Sequence, residues 1–388
     1  MSGETSLTRS RRSAPSSSCT SLRLRLLSQS LEILSDDPAT LDVLRFQYRH
    51  FLERSPARRP DQRIQLKLGG PRPALVVGSK RLALPRDCSS GHALSLVLES
   101  LIDTIREHLV FHAGAVSQDG RGLLVCGPPG FGKTSLVLEL SRRGCGFLSD
   151  DYAPVSLREA RLHPFPRSLG IVAGTPAARR LVRSVAPGGR LRVQEKWLVD
   201  PAALPGLRLA GSCRPAAVVL LGPPSLPSPA RPLHYDLAID ESLAASLRRH
   251  LPGAGFSRAR RSPSGRVRLR LTLPPGHRLA SRLEGWVARH RAHVFTMERV
   301  HRKAGAFGAR FTLRPVHPSE GLVEVLSDLH NRRPGSAALA QGEMSAGGLL
   351  MASARLLGQA RFVRFSGGTP FRRAEAALAL LRSSGGRS

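Results

Sequence analysis

Lysine is scarce in this chain of 388 residues: only Lys67, Lys80, Lys133, Lys196 and Lys303 carry an ammonium, against 54 arginines. Acids are few as well, 28 against 59 bases, which leaves a formal charge of +31. An arginine bias this broad fits a substitution habit spread over a solvated surface better than a dedicated patch for anionic partners, so charge is a weak guide. The five cysteines, Cys19, Cys88, Cys126, Cys145 and Cys213, are odd in number and show no CxxC spacing. Neither a disulfide framework nor a zinc site is expected. No apolar run approaches the ~18 residues that span a bilayer, and the first residues lack the apolar stretch of a secretory signal. The expectation is a cytoplasmic protein with no membrane partner.

What is present is a globular composition. With 41% hydrophobic residues the chain can bury one sizeable core or two modest ones, and with 37 glycines and 30 prolines it is well punctuated. Residues 1–20 are rich in Ser, Thr and Arg with almost no large apolar side chain, which predicts a disordered basic tail. Over 21–90, short apolar runs separated by turn residues predict a small β-rich N-terminal module around one helix near 41–51. The remainder, 91–388, is expected to form one larger domain. It opens with a helix whose Leu94, Val97, Leu98, Leu101, Ile102, Ile105 and Leu109 share one face, behind Ser89 and Ser90 as caps.

Two β-prone runs follow, joined at Asp119-Gly120, a pair that closes two-residue hairpins. In that register partner residues sum to 239, so His112 faces Gly127. The second run, 123–126, leads straight into Gly127-Pro128-Pro129-Gly130-Phe131-Gly132-Lys133-Thr134, a full match to G-x-x-x-x-G-K-[ST], and then into a helical run, 135–143, that starts at Ser135. Glycines let the backbone wrap a phosphate chain, successive N–H groups and the helix start supply the field, and Lys133 adds a mobile charge. Thr134 offers a hydroxyl to Mg²⁺ bridging the outer phosphates. A nucleoside triphosphate site with Mg²⁺ is the expectation.

Seventeen residues after Lys133, the short run 146–148 ends in Ser149-Asp150-Asp151. A right-handed βαβ crossover makes this strand run with the first, which brings both carboxylates to the same sheet edge as the loop. One acid can hold the metal while the other accepts a hydroxyl proton. His112, beside the loop mouth, could orient a carboxylate or stabilise a phosphate oxygen; a strand histidine satisfied by a carbonyl is the competing reading.

The ordered set HAGAVSQDGRGLLVCGPPGFGKTSLVLELSRRGCGFLSDDYAPVSL resembles the catalytic core of the bacterial HPr kinase/phosphorylase family and its divergent serine kinases. The likeness is strong over 108–157, with Pro164-Phe165-Pro166-Arg167 a weaker echo. It implies an α/β fold: a P-loop kinase core of the HPr kinase C-terminal domain type, related to phosphoenolpyruvate carboxykinase. It further implies transfer of a phosphoryl group from ATP to a serine hydroxyl on a protein or peptide. The resemblance gives Lys133 and the loop amides, 127–135, to the β and γ phosphates and Thr134, Asp150 and Asp151 to the metal. Catalysis falls to Asp150, Asp151, His112 and Lys133, with the base left open between the two acids. The family's second signature is missing, so an acceptor other than HPr is expected.

Elsewhere, Lys196 after Gln194-Glu195, or Arg167, could neutralise the transferring phosphoryl group, although a surface place for Lys196 is commoner. Residues 216–221 read as a buried strand, and 362–365 with 370–381 as a closing strand and helix. Fourteen bases against two acids in 255–310 raise a nucleic-acid partner, but the aromatics there are too sparse for a stacking platform. Arg266, Arg268 and Arg270, alternating with Val267, Leu269 and Leu271, predict a half-buried strand with one cationic face, most simply an edge strand guarded by charge. The leading expectation is therefore a serine kinase, with a non-catalytic nucleotide-binding module or a nucleic-acid-associated NTPase as rivals and a homo-oligomer left open.

Overall fold

Alternation of apolar and polar residues builds the first layer. β1 (Thr20–Leu26) and β2 (Gln29–Ser35) form a hairpin that reverses at Leu27, with φ +56°. α1 (Pro38–Gln47) starts with a proline, whose missing N–H is no loss in a first helical turn. Its chain then tightens into a 3-10 turn, Arg49–Phe51, so the helix expected over 41–51 begins earlier and ends tighter. β3 (Gln62–Lys67) runs parallel to β2, and β4 (Ala74–Val77) and β5 (Lys80–Ala83) complete a five-stranded sheet in chain order. Leu22, Leu24, Ile33, Ile64 and Leu66 are buried on one face, under Leu41 and Leu44 of α1 and Val97 and Leu101 of α2 (Ser90–Asp103). The amphipathic stripe of α2 thus belongs to the same core as this sheet.

The second layer is built from β6 (His108–Phe111), β7 (Ala113–Gln118), β8 (Arg121–Cys126), α3 (Lys133–Arg142), β9 (Gly146–Ser149) and β10 (Ala153–Ser156), the last paired with β6. Next come β11 (Leu169–Val172), α4 (Pro176–Arg183), β12 (Arg190–Val193) and β13 (Lys196–Val199), whose strands form a three-stranded sheet, and then β14 (Arg214–Leu221). β15 (Leu233–Asp240), α5 (Ala244–His250), β16 (Gly255–Arg261), β17 (Arg266–Leu273), α6 (Arg278–Arg289) and β18 (Val294–Arg299) make a four-stranded unit with its own core around Trp286. The chain closes with β19 (Thr312–Pro315), α7 (Pro318–Ser327), α8 (Ala346–Leu357), β20 (Arg361–Ser366) and α9 (Pro370–Ser383).

This computed structural model describes residues 20–53, 59–86, 88, 90–172, 174, 176–193, 196–222, 232–261, 265–274, 278–299, 310–327, 329 and 345–383. Residues 1–19 of the tail expected over 1–20, the Ser89 cap, Gln194, Glu195 and part of the basic segment, 300–309, lie outside the described residues, while Thr20 opens β1. The architecture is mixed α/β. Among the described residues, no helix is long and apolar enough to cross a membrane.

A six-stranded sheet, β19-β20-β14-β8-β7-β9, forms the centre. Both its faces are covered, so its strands read as continuous apolar runs: Val219 and Leu221 face one core with α9, Val218 and Leu220 the other with α7 and α8. β8, β14 and β20 are parallel, and β9 runs with β8 although β7 lies between them, antiparallel to both. Four strands therefore end at one sheet edge. There Arg364 of β20 makes a buried two-bond ion pair with Glu324 of α7, at 3.1 and 2.6 Å, and its guanidinium also donates to the Gly222 carbonyl at 3.3 Å.

The hairpin register is the one the Asp-Gly pair predicts, Ala113 opposite Cys126 through Gln118 opposite Arg121, and both turn residues have positive φ, +51° and +74°. One expectation is corrected. β17 is not an edge strand but lies between β16 and β15; Arg268 and Arg270 are exposed on its open face, and Asp236 of β15 accepts from Arg270 at 3.1 Å. Alternating exposure reports a covered face and an open face, which central and edge strands share.

The five-stranded layer is fastened to the three-stranded sheet through Asp200, which follows β13. Its carboxylate accepts from Arg49 at 3.1 Å and pairs with His50 Nε2 at 2.7 Å, and the Ala202 N–H also donates to it. Burial pushes this carboxyl up, but the His50 bond, the Ala202 N–H and Arg49 outweigh it and hold the group below the usual carboxylate range. Asp200→Asn is expected to cost about 1–2 kcal/mol in urea unfolding at neutral pH. Since the folded value is depressed, this stabilisation is full above about pH 4 and fades as pH falls through it, so wild type and variant should converge in acid.

Candidate functional site

Every element of the site leaves the same sheet edge. After Cys126 the chain enters the 127–132 loop, where Gly127, Gly130 and Gly132 have φ of +141°, +83° and +95°, values that L side chains resist. A Cβ on Gly127 would stand 2.7 Å from the Leu221 carbonyl, so the loop starts pressed against the end of β14. Phe131 is buried in the core below, and its carbonyl accepts from Arg373 of α9 at 2.8 Å. Arg373 also donates to the Gly367 carbonyl at 2.8 Å and is only 2% exposed. A buried guanidinium thus ties the loop to the C-terminal helix, 242 residues away in the chain.

α3 then starts at Lys133, with Gly132 as its cap and its first N–H groups directed into the loop. Lys133 is 8% exposed and donates from Nζ to the Gly127 carbonyl at 2.6 Å, so the ammonium is folded across the loop. Pro128 is buried, Thr134 half-buried, and Pro129, Gly130 and Ser135 are exposed.

β9 delivers the acids. Ser149 Oγ accepts from the N–H groups of Asp151, at 3.3 Å, and Tyr152, at 3.1 Å, which shapes the turn. Gly114 of β7 lets the layers close here, since a Cβ on it would meet Val137 of α3 at 2.5 Å and the Asp150 carbonyl at 3.4 Å. Asp150 is 8% exposed. Burial first, then the neighbouring Asp151 charge, pushes its carboxyl up to about 7, against the pull of Arg167 and Lys133. The ammonium of the loop therefore acts on the acid turn through space.

Asp151 keeps more solvent access, its side chain 31% exposed, and both its oxygens are engaged. Oδ1 meets His112 Nε2 at 2.8 Å, and Oδ2 accepts from Arg167 Nη2 at 3.0 Å. Arg167 arrives on the segment after β10, which is pinned by the Phe165 N–H donating to the Leu148 carbonyl at 2.8 Å. Its guanidinium stacks 4.5 Å above the Tyr152 ring. Burial works against its charge, but Tyr152, Tyr48, Asp151 and Asp150 outweigh that and raise its pKa.

Asp150, Asp151, His112 and Lys133 thus gather with the glycine loop and Thr134. Of the two further cations singled out in the sequence, Arg167 reaches the acids, whereas Lys196 is exposed at the start of β13 in the three-stranded sheet. Arg373, Tyr152 and Gly114 carried no signal in the sequence, because each acts through a contact between distant segments. Among the described residues no cluster of three or more His, Cys, Asp or Glu is placed to hold a metal ion. One hydroxyl and two carboxylates are a hard-oxygen set, the kind Mg²⁺ takes when a substrate's phosphates supply most of its shell.

No family model and no curated protein matches this chain. Among solved structures it is similar to the HPr(Ser) kinase/phosphatase from Coxiella burnetii, at 19% identity and a TM-score of 0.20, over 47% of this chain and 95% of that one. A score that low transfers neither fold nor activity.

The Arg373 anchor yields a test that needs no ligand. Arg373→Ala should speed amide hydrogen exchange at 131–133 by ~10-fold or more while leaving the five-stranded sheet unchanged. Equal exchange in loop and sheet would mean that the loop holds itself.

Proposed function

We propose that the chain is an ATP-dependent serine kinase acting on a protein or peptide, built on a P-loop core. The observation that carries this reading is the meeting at one sheet edge of Lys133 and an Asp150-Asp151 turn, with Asp151 gripped by His112 and Arg167. A glycine loop alone would serve any nucleotide binder. An oriented carboxylate with solvent access, beside a second acid and the loop lysine, is what transfer to a hydroxyl requires.

In this mechanism the N–H groups of 128–134 and the Lys133 ammonium hold the β and γ phosphates, Lys133 exchanging its Gly127 carbonyl for phosphate oxygen. Thr134 and the acid pair would hold Mg²⁺, which when bound neutralises charge on the outer phosphates. One carboxylate of the pair takes the proton of the acceptor serine as its oxygen bonds to the γ phosphorus. The bond from that phosphorus to the β–γ bridging oxygen breaks, and ADP leaves. Arg167 and His112 keep Asp151 aimed throughout, one on each carboxylate oxygen. The loop dipoles are in place before the reaction, so little reorganisation is needed as charge develops.

Lys133→Ala is expected to lower transfer from γ-labelled ATP to a serine peptide or protein by ~100-fold or more with the unfolding midpoint nearly unchanged. Asp150→Asn and Asp151→Asn should each abolish turnover while ATP still binds, and the variant whose affinity no longer responds to Mg²⁺ marks the metal carboxylate. Undiminished transfer in the Lys133 variant would sink the proposal, and function retained without both acids would favour a binding module.

A further inference from the structure

The N-terminal layer reaches into the site. Tyr48 closes α1 and is fully buried, 0% exposed, among rings from the other layer: Phe165 lies 6.3 Å from it edge-on, and Phe165 in turn sits 6.1 Å from Tyr152, the ring under Arg167. The backbone joins the same two segments, since the Ser168 N–H donates to the Gln47 carbonyl at 3.1 Å. The residues on either side of that bond are Tyr48 and Arg167.

Four buried polar atoms collect at this joint without a hydrogen bond of normal geometry: Gln47 Oε1, Tyr48 OH, Arg167 Nε and Ser168 Oγ. Buried polar atoms are costly when left unpaired, so a joint that carries four is under pressure to close. Donor and acceptor chemistry match across it. Arg167 Nε can only donate and a phenol oxygen can accept, directly or through one shared water. The Tyr48 hydroxyl already lies in the field of the Arg167 charge. Arg167 Nη2 is spent on Asp151 and its flat face on Tyr152, which leaves the Nε edge as the side from which its rotation can be set.

We infer that Tyr48 is a positioning residue for the acid pair, its hydroxyl holding the Arg167 guanidinium at the angle that grips Asp151. The N-terminal layer is therefore part of the machinery through one oxygen atom. This rests on the proposed transfer for its kinetic consequence, but not for its structural one.

Tyr48→Phe removes the oxygen and keeps the ring. It should lower kcat about 5- to 20-fold with KM for ATP within about twofold, since the loop is untouched. In an Arg167→Ala background the same change should cost nothing further, because the path to Asp151 is already cut. Phe51→Leu, in the same ring cluster, should lower the unfolding midpoint and leave kcat unchanged. A readout without turnover is the NMR signal of the His112 ring, assigned by its loss in His112→Gln. Tyr48→Phe should shift it, because Asp151 Oδ1 is its partner at 2.8 Å. An unmoved His112 signal, or a full additive loss of kcat in the double variant, overturns the inference. A wild type that binds Mg·ATP and phosphorylates nothing overturns the kinase reading instead, and the ring signal still decides the role of Tyr48.

Discussion

Two carboxylates on consecutive residues at the end of a buried strand are an electrostatic problem, and the site is organised as its solution. Asp150 is buried beside a second carboxylate, and burial and the Asp151 charge both raise the cost of ionising it, against the pull of Arg167 and Lys133. The chain answers from three directions: a lysine from the loop after β8, a histidine from the foot of β7 and an arginine from the segment after β10. The result is asymmetric. Asp151 is fixed on both oxygens, while Asp150 stays buried with a pKa near neutrality, so two chemically identical side chains become different reagents.

Strand direction makes that convergence possible. β8, β9, β14 and β20 all end on one side of the central sheet, and each hands its chain to a turn there. Loop position is then secured from behind by Arg373 and by the packing of Gly127 and Gly222 against Leu221 and Phe131. Buried arginines thus do structural work at two places near the loop, on the Phe131 carbonyl and, through Arg364, on that of Gly222. One satisfies a carbonyl in the loop before α3, the other the carbonyl that follows the last residue of β14.

What the sequence disclosed is what covalent spacing controls. A two-residue turn leaves one register, so His112 could be put beside Gly127; a short helix between two strands leaves little choice of direction, so Asp150 and Asp151 could be put near Lys133. The glycine loop was legible because positive φ demands glycine. Contacts between distant segments were not: nothing about Tyr48 or Arg373 in the string of letters says that they touch 165–168 or Phe131. Patterns that fit two environments also misled. The Arg266 to Leu271 alternation is the same for a central strand as for an edge, and the stripe of α2 announces an apolar face without saying what it covers.

That stripe decides how the molecule can be taken apart. α2 leads by chain directly into β6 and the histidine-bearing hairpin, yet its apolar side chains lie in the core of the five-stranded sheet. A cut before residue 90 would strip the whole sheet that shields α2 and leave its apolar stripe open to solvent; a cut after 105 would keep α2 on that sheet but sever it from the strand that follows. Dissection by truncation therefore damages one partner whichever side is chosen, and point changes are the cleaner instrument for asking what each layer contributes.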